Sequence, residues 1–210
     1  SSTATISVLA RKSRKASEQE ATDYVAAMLL AVSMMFLRFM ILILIFSREI
    51  FLSIYPYLLT MAVVAAIVAW FIHSRQKRPE DQPAETEEDD SSNPLEFKVA
   101  LIFAILFVIF TFLTHYTLVY AGTGGLNLLS FVSGFSDITP FILNLLQNTG
   151  SVAALIITAC SMQAIISNIM VNMFYALFFA GKGSKLRPWI LGGFGVVITC
   201  NLVLLLFFYI

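Results

Sequence analysis

The feature that most limits the folds open to this chain is a series of apolar runs, each long enough to cross a bilayer. A helix needs about 20 apolar residues to span the hydrocarbon core of a membrane. Four runs reach that length and predict spanning helices: residues 24–46, 51–73, 97–120 and 188–210. A fifth run, 152–180, is longer than one span requires. Because backbone N–H and C=O groups must find internal partners in lipid, all five are expected to be helical.

Composition supports the same conclusion. Hydrophobic residues make up 59% of the chain and charged residues 12%, whereas soluble domains contain roughly 45–50% and about 25%. A soluble protein of this length could not bury so much apolar surface, because too much of a small domain faces water. The predicted fold class is therefore all-α, a polytopic transmembrane helical bundle, and the expected partner of its surface is the lipid bilayer.

Several other function classes lack support in the sequence. The charges form no basic stripe, so no nucleic-acid partner is expected. No nucleotide-binding motif, acid pair or HExxH motif is present, and no serine has an evident base partner, so the chain is not expected to be an enzyme. Cys160 and Cys200 lie within apolar runs without metal-ligand spacing. They are expected to be free thiols, and neither a metal nor another cofactor is predicted.

A further apolar segment, 125–149, is interrupted by the polar octet SGFSDITP at residues 133–140. The octet divides the segment into halves that are each too short to span a membrane alone. An interrupted backbone at membrane depth is tolerated only where protein or a water-filled cavity shelters it. The octet therefore predicts a broken helix in the interior of the bundle.

The positions of lysine and arginine predict which ends of the helices face the cytoplasm. Cations flank the first three spans on one side: Arg11, Lys12, Arg14, Lys15, Arg75, Lys77, Arg78 and Lys98. A complete crossing by 125–149 would carry the cations of the loop KGSKLR, residues 182–187, to the opposite side. If 125–149 instead enters and returns, those cations join the others. The positive-inside rule favours this re-entrant alternative.

Three ionisable side chains fall inside apolar segments: Arg38, Asp137 and His115. An unpaired charge at the bilayer centre costs at least about 2.5–3.5 kcal/mol, so Arg38 and Asp137 are predicted to make a direct, charge-assisted contact. Two simpler roles remain open. Asp137 could only cap the second half-helix, and Arg38 could only join helices through carbonyls. His115 is expected to be a satisfied interior histidine rather than a proton carrier.

Hydroxyl and amide side chains complete the predicted intramembrane polar site. Ser136 and Thr139 lie in the octet beside Asp137. Asn168 and Asn172 are four residues apart, so they share one helix face. That face is expected to point at the broken helix, either joining helices or lining a cavity.

The start of the chain, SSTATISVLA, resembles the segment FSDITPFILN of the octet region, with Ser2 aligned to Ser136 and Thr5 to Thr139. It lacks the features of a signal peptide and is expected to be a truncated first broken helix. Each segment precedes a helix rich in small residues. With a re-entrant 125–149, the two units would be inverted repeats, which are typical of secondary transporters.

The chain is thus predicted to contain two membrane units, 1–73 and 94–210, joined by a disordered cytoplasmic linker. The linker, residues 74–93, is rich in Pro, Glu, Asp and Ser and cannot bury apolar surface. It ends in a helix-start signal, with a capping residue at Asn93 and proline at Pro94. The third span is therefore predicted to begin near Pro94.

Several motifs in a fixed order resemble one bacterial family: SSTAT followed by basic residues, AAMLLAVSMMFLR, NPLEFKVALIFA, GFSDIT, and NIMVN before FFAGK. The family is the uncharacterised domain that follows the MgtC/SapB domain in inner-membrane proteins. The resemblance implies a multi-pass protein of the bacterial inner membrane with an MgtC/SapB-type domain upstream. Family members usually carry an aspartate where this chain has Thr139 and a lysine where it has Asn172. Their joint absence implies that a family ion pair has been lost at little net cost.

Two functional hypotheses follow. The first is a transporter or permease-like core for a small ion or solute, with the octet at its binding site. The half-helix N-terminus would favour an anion and Asp137 a cation, so the sequence does not select a substrate. The second is a regulatory or assembly subunit that moves nothing and binds other membrane proteins or further copies of itself.

Overall fold

A computed structural model describes residues 2–13, 18–74, 94–148, 152–181 and 186–209. In these ranges the helices are α1 (Ser2–Ser13), α2 (Glu18–Phe46), α3 (Arg48–Ser74), α4 (Pro94–Ser133), α5 (Ile138–Gln147), α6 (Ala154–Ala180) and α7 (Arg187–Tyr209). Five of them, α2, α3, α4, α6 and α7, are long and apolar enough to cross a membrane. The predicted all-α transmembrane bundle is confirmed.

The boundaries of the third span also agree with the sequence. α4 begins at Pro94, as the helix-start signal predicts. Apart from Ser74, the predicted linker lies outside the described residues, and so do the lysines of the loop 182–187.

Helices α2, α3 and α7 pack together on one side of the bundle. The Ser33 hydroxyl of α2 donates to the Ala62 carbonyl of α3 at 2.9 Å. α7 approaches both helices closely at Gly193, where an added Cβ would lie 2.7 Å from Leu29 Cδ1 and 3.2 Å from Ile72 Cδ1. A small residue at this position allows close helix packing in a setting where lipid provides no hydrophobic force between helices.

A buried polar contact joins α3 to α7. Tyr57 and Asn201 are 1% and 0% exposed, and the Tyr57 hydroxyl donates to Asn201 Oδ1. The Nδ2 atom of Asn201 is buried and has no hydrogen-bond partner among the described residues. The contact therefore satisfies only one side of this amide.

We expect Tyr57→Phe to lower the free energy of unfolding by about 1–3 kcal/mol, because both polar atoms of Asn201 are then buried and unpaired. Adding Asn201→Leu should recover most of this loss by removing those atoms. Thermal unfolding of the detergent-purified single and double variants measures both effects. A double variant less stable than Tyr57→Phe would contradict the prediction.

α4 folds back on itself at Gly122. This residue has φ 59° and ψ −149°, values that glycine adopts at little cost. An added Cβ at Gly125 would lie 2.7 Å from Cγ2 of Thr117, although eight residues of continuous helix would rise about 12 Å. The chain therefore turns near Gly122, close to the predicted end of the third span at residue 120.

The octet breaks the helix where the sequence predicts. α4 ends at Ser133, residues 134–137 are not helical, and α5 begins at Ile138. With 10 residues, α5 is about 15 Å long, roughly half the thickness of the hydrocarbon core. α5 is therefore a half-helix that cannot span a membrane alone.

α5 also reverses the direction of the chain. Cys160 Sγ of α6 donates to Asn127 Oδ1 of α4 at 3.4 Å. Farther along α6, Asn168 Nδ2 donates to the carbonyl of Gly134, the residue that follows α4, at 3.1 Å. The residue numbers rise together, so the second half of α4 runs parallel to α6. α5 starts beside Asn168 and leads the chain back to Ala154, where α6 begins, as the re-entrant alternative predicts.

α1 runs in the opposite direction to α5. Thr3 shares a cavity with Asn168, and the Arg11 guanidinium lies 4.4 Å from the centre of the Phe179 ring. α1 is therefore parallel to α6, whereas α5 is antiparallel to it. The two short helices leave a common point in opposite directions, as an inverted repeat requires. The equivalence of the complete units 1–73 and 94–210 stays a prediction.

The same contacts place the described cations. Because Arg11 lies over Phe179, the ends of α1 and α6 are at the same end of the bundle. α2 begins at this end of the bundle, because it follows α1 closely in the chain. His73 at the end of α3 pairs with Asp23 near the start of α2 at 2.9 Å, so α3 ends at the same end of the bundle. The loop toward Arg187 thus starts at the end of the bundle that carries Arg11. That this end faces the cytoplasm stays a prediction.

Candidate functional site

A partly open cavity of about 240 Å³ lies between α1, α2, α5 and α6. Two charged residues, three threonines and one amide contribute to its lining: Arg38, Asp137, Thr3, Thr5, Thr139 and Asn168. Much of the remaining wall is apolar and comes from α2. We name this space the Arg38 cavity. It has room for several water molecules or a small solute, and it combines both signs of charge on an apolar wall.

Asp137 forms the start of α5. Its Oδ1 accepts hydrogen bonds from the Thr139 backbone N at 3.0 Å and from Thr139 Oγ1 at 2.7 Å. Asp137 therefore caps α5. Whether capping is its only role stays open. The side chain is half-buried and lines the cavity, and Oδ2 accepts no hydrogen bond from the described residues. Capping thus occupies one carboxylate oxygen and leaves the other available.

The predicted direct contact between Arg38 and Asp137 is wrong. Arg38 Nη2 instead donates to Thr139 Oγ1 over a long 3.4 Å, and that hydroxyl donates to Asp137 Oδ1. The reason is local, because the capping turn folds the Thr139 side chain back onto the carboxylate, between it and α2. Thr139 therefore bridges the two charges, and the exposed guanidinium keeps further donors for the cavity.

Asn168 holds the two sides of the break together. Its side chain is 3% exposed, and Nδ2 donates to the carbonyls of Gly134 at 3.1 Å and Ser136 at 3.4 Å. The break removes these carbonyls from regular helical pairing, so they need such a partner. Asn168 both joins helices and lines the cavity, which unites the two alternatives left open by the sequence.

Asn172 has a supporting position one turn farther along α6. Its Nδ2 donates to Asn168 Oδ1 at 3.1 Å, which orients the Asn168 amide toward the break. Its own Oδ1 is buried, and no residue in the described part of the chain donates to it. Asn172 therefore acts through Asn168 and does not line the Arg38 cavity.

Two residues at the break have roles that the sequence did not reveal. Ser167 Oγ donates to the carbonyl of Phe131 at 2.6 Å, in the last turn of α4. Gly134 packs so closely on α6 that an added Cβ would lie 2.4 Å from Ser167 Cβ. The glycine in the octet is a visible signal of close approach, but nothing in the sequence indicates that Ser167 is the residue approached.

The prediction that His115 is an interior residue is wrong. The side chain is exposed on α4, with its ring 5.9 Å from that of Tyr116. The cause is the position of α4 at the edge of the bundle, where only 11% of its most apolar window is buried. His115 therefore belongs to the outer surface and not to the site.

Comparison with known proteins identifies the family. Residues 1–180 match the family described as a domain of unknown function (DUF4010). The chain belongs to the DUF4010 family. An uncharacterized protein of Aquifex aeolicus (strain VF5) is 27% identical over 115 residues, which cover 54% of this chain and 50% of the relative. The match thus spans about half the length of that relative. No solved structure matches the chain.

The DUF4010 match covers the whole candidate site. It includes Arg38 on α2, the octet between α4 and α5, and the two asparagines of α6, and it stops at the residue where α6 ends. α7 lies beyond the matched residues. The Arg38 cavity is therefore built entirely from the part of the chain that defines the family.

Proposed function

We propose that this DUF4010 protein is the core of a membrane transporter for a small ion or solute, with the Arg38 cavity as its binding site. One observation carries the proposal: α1 and α5 leave this cavity in opposite directions, inside a bundle with five candidate spans. Secondary transporters commonly place discontinuous helices of this kind at their substrate site. A break that only joined helices would need no cavity beside it.

The chemistry of the cavity fits binding without a reaction. The Arg38 guanidinium supplies donors for an anionic group, and Thr5 and Thr139 supply hydroxyls on either side. Asp137 supplies an opposing charge within the same lining. We assign these groups to solute binding and propose no enzymatic step.

We further propose that the protein resides in a bacterial inner membrane with its cation-rich end in the cytoplasm. The motif order supports association with an MgtC/SapB-type domain. The competing role, a regulatory or assembly subunit, would use Thr139 and Asn168 only as permanent helix contacts. It predicts that the cavity never opens to both sides of the membrane.

Cysteine accessibility tests the proposal without knowledge of the solute. Thr5 is exposed and lines the cavity. In a chain carrying Cys160→Ser and Cys200→Ser, we expect Thr5→Cys to react with a membrane-impermeant methanethiosulfonate reagent applied from either side of oriented vesicles, because alternating access exposes the site to each side in turn.

The matched control is Ala10→Cys, on the same helix but 0% exposed, which should not react from either side. Vesicles of the two orientations expose opposite faces of the protein to the reagent. If Thr5→Cys reacted in only one of the two orientations, the transport proposal would be overturned. That result would favour the regulatory or assembly role.

A further inference from the structure

A second cavity, of about 390 Å³, lies on the other side of the break. Five oxygen-bearing side chains contribute to its lining: Thr3, Ser7, Ser136, Asp137 and Tyr175. The rest of its described lining is glycine or apolar, without lysine, arginine or histidine. We name it the Ser7 cavity. Its lining has Thr3 and Asp137 in common with that of the Arg38 cavity.

The break places a different helix end at each cavity, whereas the first turn of α1 reaches both cavities through Thr3. Residues 134–136, which follow the end of α4, line the Ser7 cavity. Ile138 and Thr139, which begin α5, line the Arg38 cavity. A helix carries partial negative charge at its C-terminal end and partial positive charge at its N-terminal end. The Ser7 cavity therefore lies at the negative end of one helix, and the Arg38 cavity at the positive end of the next.

Asp137 stands between these two environments with one oxygen available. Its Oδ1 is fixed by Thr139 at 2.7 Å, so the carboxylate is oriented before any ligand binds. Its Oδ2 has no hydrogen-bond partner among the described residues. The nearest described cation in the site, Arg38, contacts Thr139 and lines the other cavity. Among the residues that the structure describes, the available oxygen thus has no direct counter-ion.

We infer that the Ser7 cavity binds a monovalent metal cation, with Asp137 as its charged ligand and hydroxyls of Ser7, Ser136 and Thr3 as neutral ligands. Hard cations prefer oxygen ligands of this kind. One carboxylate balances one positive charge, whereas divalent calcium sites usually gather several carboxylates. The assignment of this cation as the coupling ion rests on the proposed transport role and deepens it, whereas the site itself can be tested separately.

The shared residue also explains how the two cavities would influence each other. A cation on Asp137 neutralises the carboxylate that Thr139 links to Arg38, and the guanidinium is then left with unbalanced positive charge. Binding of an anionic group in the Arg38 cavity becomes more favourable. Because such coupling is reciprocal, the anionic group also strengthens cation binding.

Thermal unfolding of the full chain, purified in detergent, tests the cation site with NaCl as the probe. N-methyl-D-glucamine chloride replaces NaCl at constant ionic strength, so charge screening stays equal. We expect a saturable rise of the unfolding midpoint with Na⁺ of at least about 2–4 °C, because a ligand that binds only the folded state stabilises it.

The variants locate the effect. Asp137→Asn should abolish the Na⁺-dependent shift while the chain still folds, because asparagine caps helices about as well as aspartate. Ser7→Ala should weaken the apparent affinity for Na⁺ about tenfold or more, in line with loss of one ligand group worth at least 1.4 kcal/mol. The matched control is Glu49→Gln, at an exposed position in the first turn of α3, which should keep the full shift.

Two results would overturn the inference: an unfolding midpoint that does not respond to Na⁺, or a response that persists in Asp137→Asn. These outcomes can be distinguished from failure of the transport proposal, because the labelling of Thr5→Cys tests transport in a separate experiment. Labelling from both sides without a Na⁺ response would remove only the cation site. A Na⁺ response lost in Asp137→Asn, with labelling from one side, would retain the cation site and remove transport.

Discussion

Replacing Gly134 with alanine is expected to remove most of the folded protein, whereas Gly192→Ala should leave it unchanged. An added Cβ at Gly134 would lie 2.3 Å from Ser167 Oγ and 2.7 Å from the backbone N of Asn168, and real Cβ atoms essentially never approach other atoms within 3.0 Å. The hydroxyl could rotate away, but the backbone of α6 can yield only if the whole helix shifts. That shift would also separate Asn168 from the carbonyls that it satisfies.

The expected magnitude follows from these two effects. Overpacking a well-filled interior typically costs about 1–3 kcal/mol, and each buried carbonyl that loses its partner adds about 1–3 kcal/mol. Gly134→Ala should therefore lower the free energy of unfolding by about 3 kcal/mol or more. Gly192, on α7, has no atom within 4 Å of an added Cβ, and alanine is the better helix former by about 0.5–1 kcal/mol.

Size-exclusion chromatography and thermal unfolding of the detergent-purified variants measure the difference. The folded yield and unfolding midpoint of Gly193→Ala should lie between those of Gly134→Ala and Gly192→Ala, because the close contact of Gly193 is with the flexible end of Leu29. Adding Ser167→Gly to Gly134→Ala should restore part of the folded yield, since it removes two of the three short contacts. Equal yields for Gly134→Ala and Gly192→Ala would show that the break does not pack on α6 as described.

The spans and the break could be predicted because their signals are local. Apolar length alone indicates a spanning helix, and SGFSDITP combines a capping residue, a proline and a glycine that each disfavour continuous helix. These features depend on residues close together in the chain.

The errors concern features that only tertiary packing decides. The cost of an unpaired charge predicts a direct contact between Arg38 and Asp137, but it does not reveal that the Thr139 side chain lies between them. His115 falls inside an apolar segment, but α4 is apolar on all faces, so its sequence pattern does not distinguish a buried face from a lipid-facing one. Lipid tolerates the same side chains that a protein interior does.

The Ser7 cavity was also absent from the sequence predictions. Thr3 and Ser7 are four residues apart on α1 and so share a face, but a pair of hydroxyls on a short helix is common. What gives the pair significance is that α1 runs parallel to α6 and brings Ser7 level with Tyr175 and Ser136. The sequence could show the polar groups of each segment, but not that α1, α6 and the break direct them into one space.

Asn168→Leu is expected to have an effect second only to that of Gly134→Ala. Leucine has a similar volume but no donors, so the carbonyls of Gly134 and Ser136 would lose the amide that satisfies them. Each buried carbonyl that loses its partner costs about 1–3 kcal/mol, and the donor of Asn172 would lose its acceptor as well. We expect a combined loss of several kcal/mol in the free energy of unfolding.

Asn172→Leu provides the matched control, because it removes an amide of the same size from the same face of α6. It deletes one hydrogen bond to Asn168 but also removes an oxygen that is already buried without a partner. The two changes have opposite effects on stability, so we expect Asn172→Leu to lower the free energy of unfolding by less than about 1 kcal/mol.

Thermal unfolding of both variants in one detergent, at matched protein concentration, distinguishes the two positions. Suppose that Asn172→Leu lowered the free energy of unfolding as much as Asn168→Leu. The Oδ1 atom of Asn172 would then have to accept a hydrogen bond in the folded protein. The stability of the break would then depend on a chain of both amides, and the polar centre of α6 would extend one turn beyond the Arg38 cavity. If neither variant lost stability, the backbone at the octet would have to be satisfied by water rather than by α6.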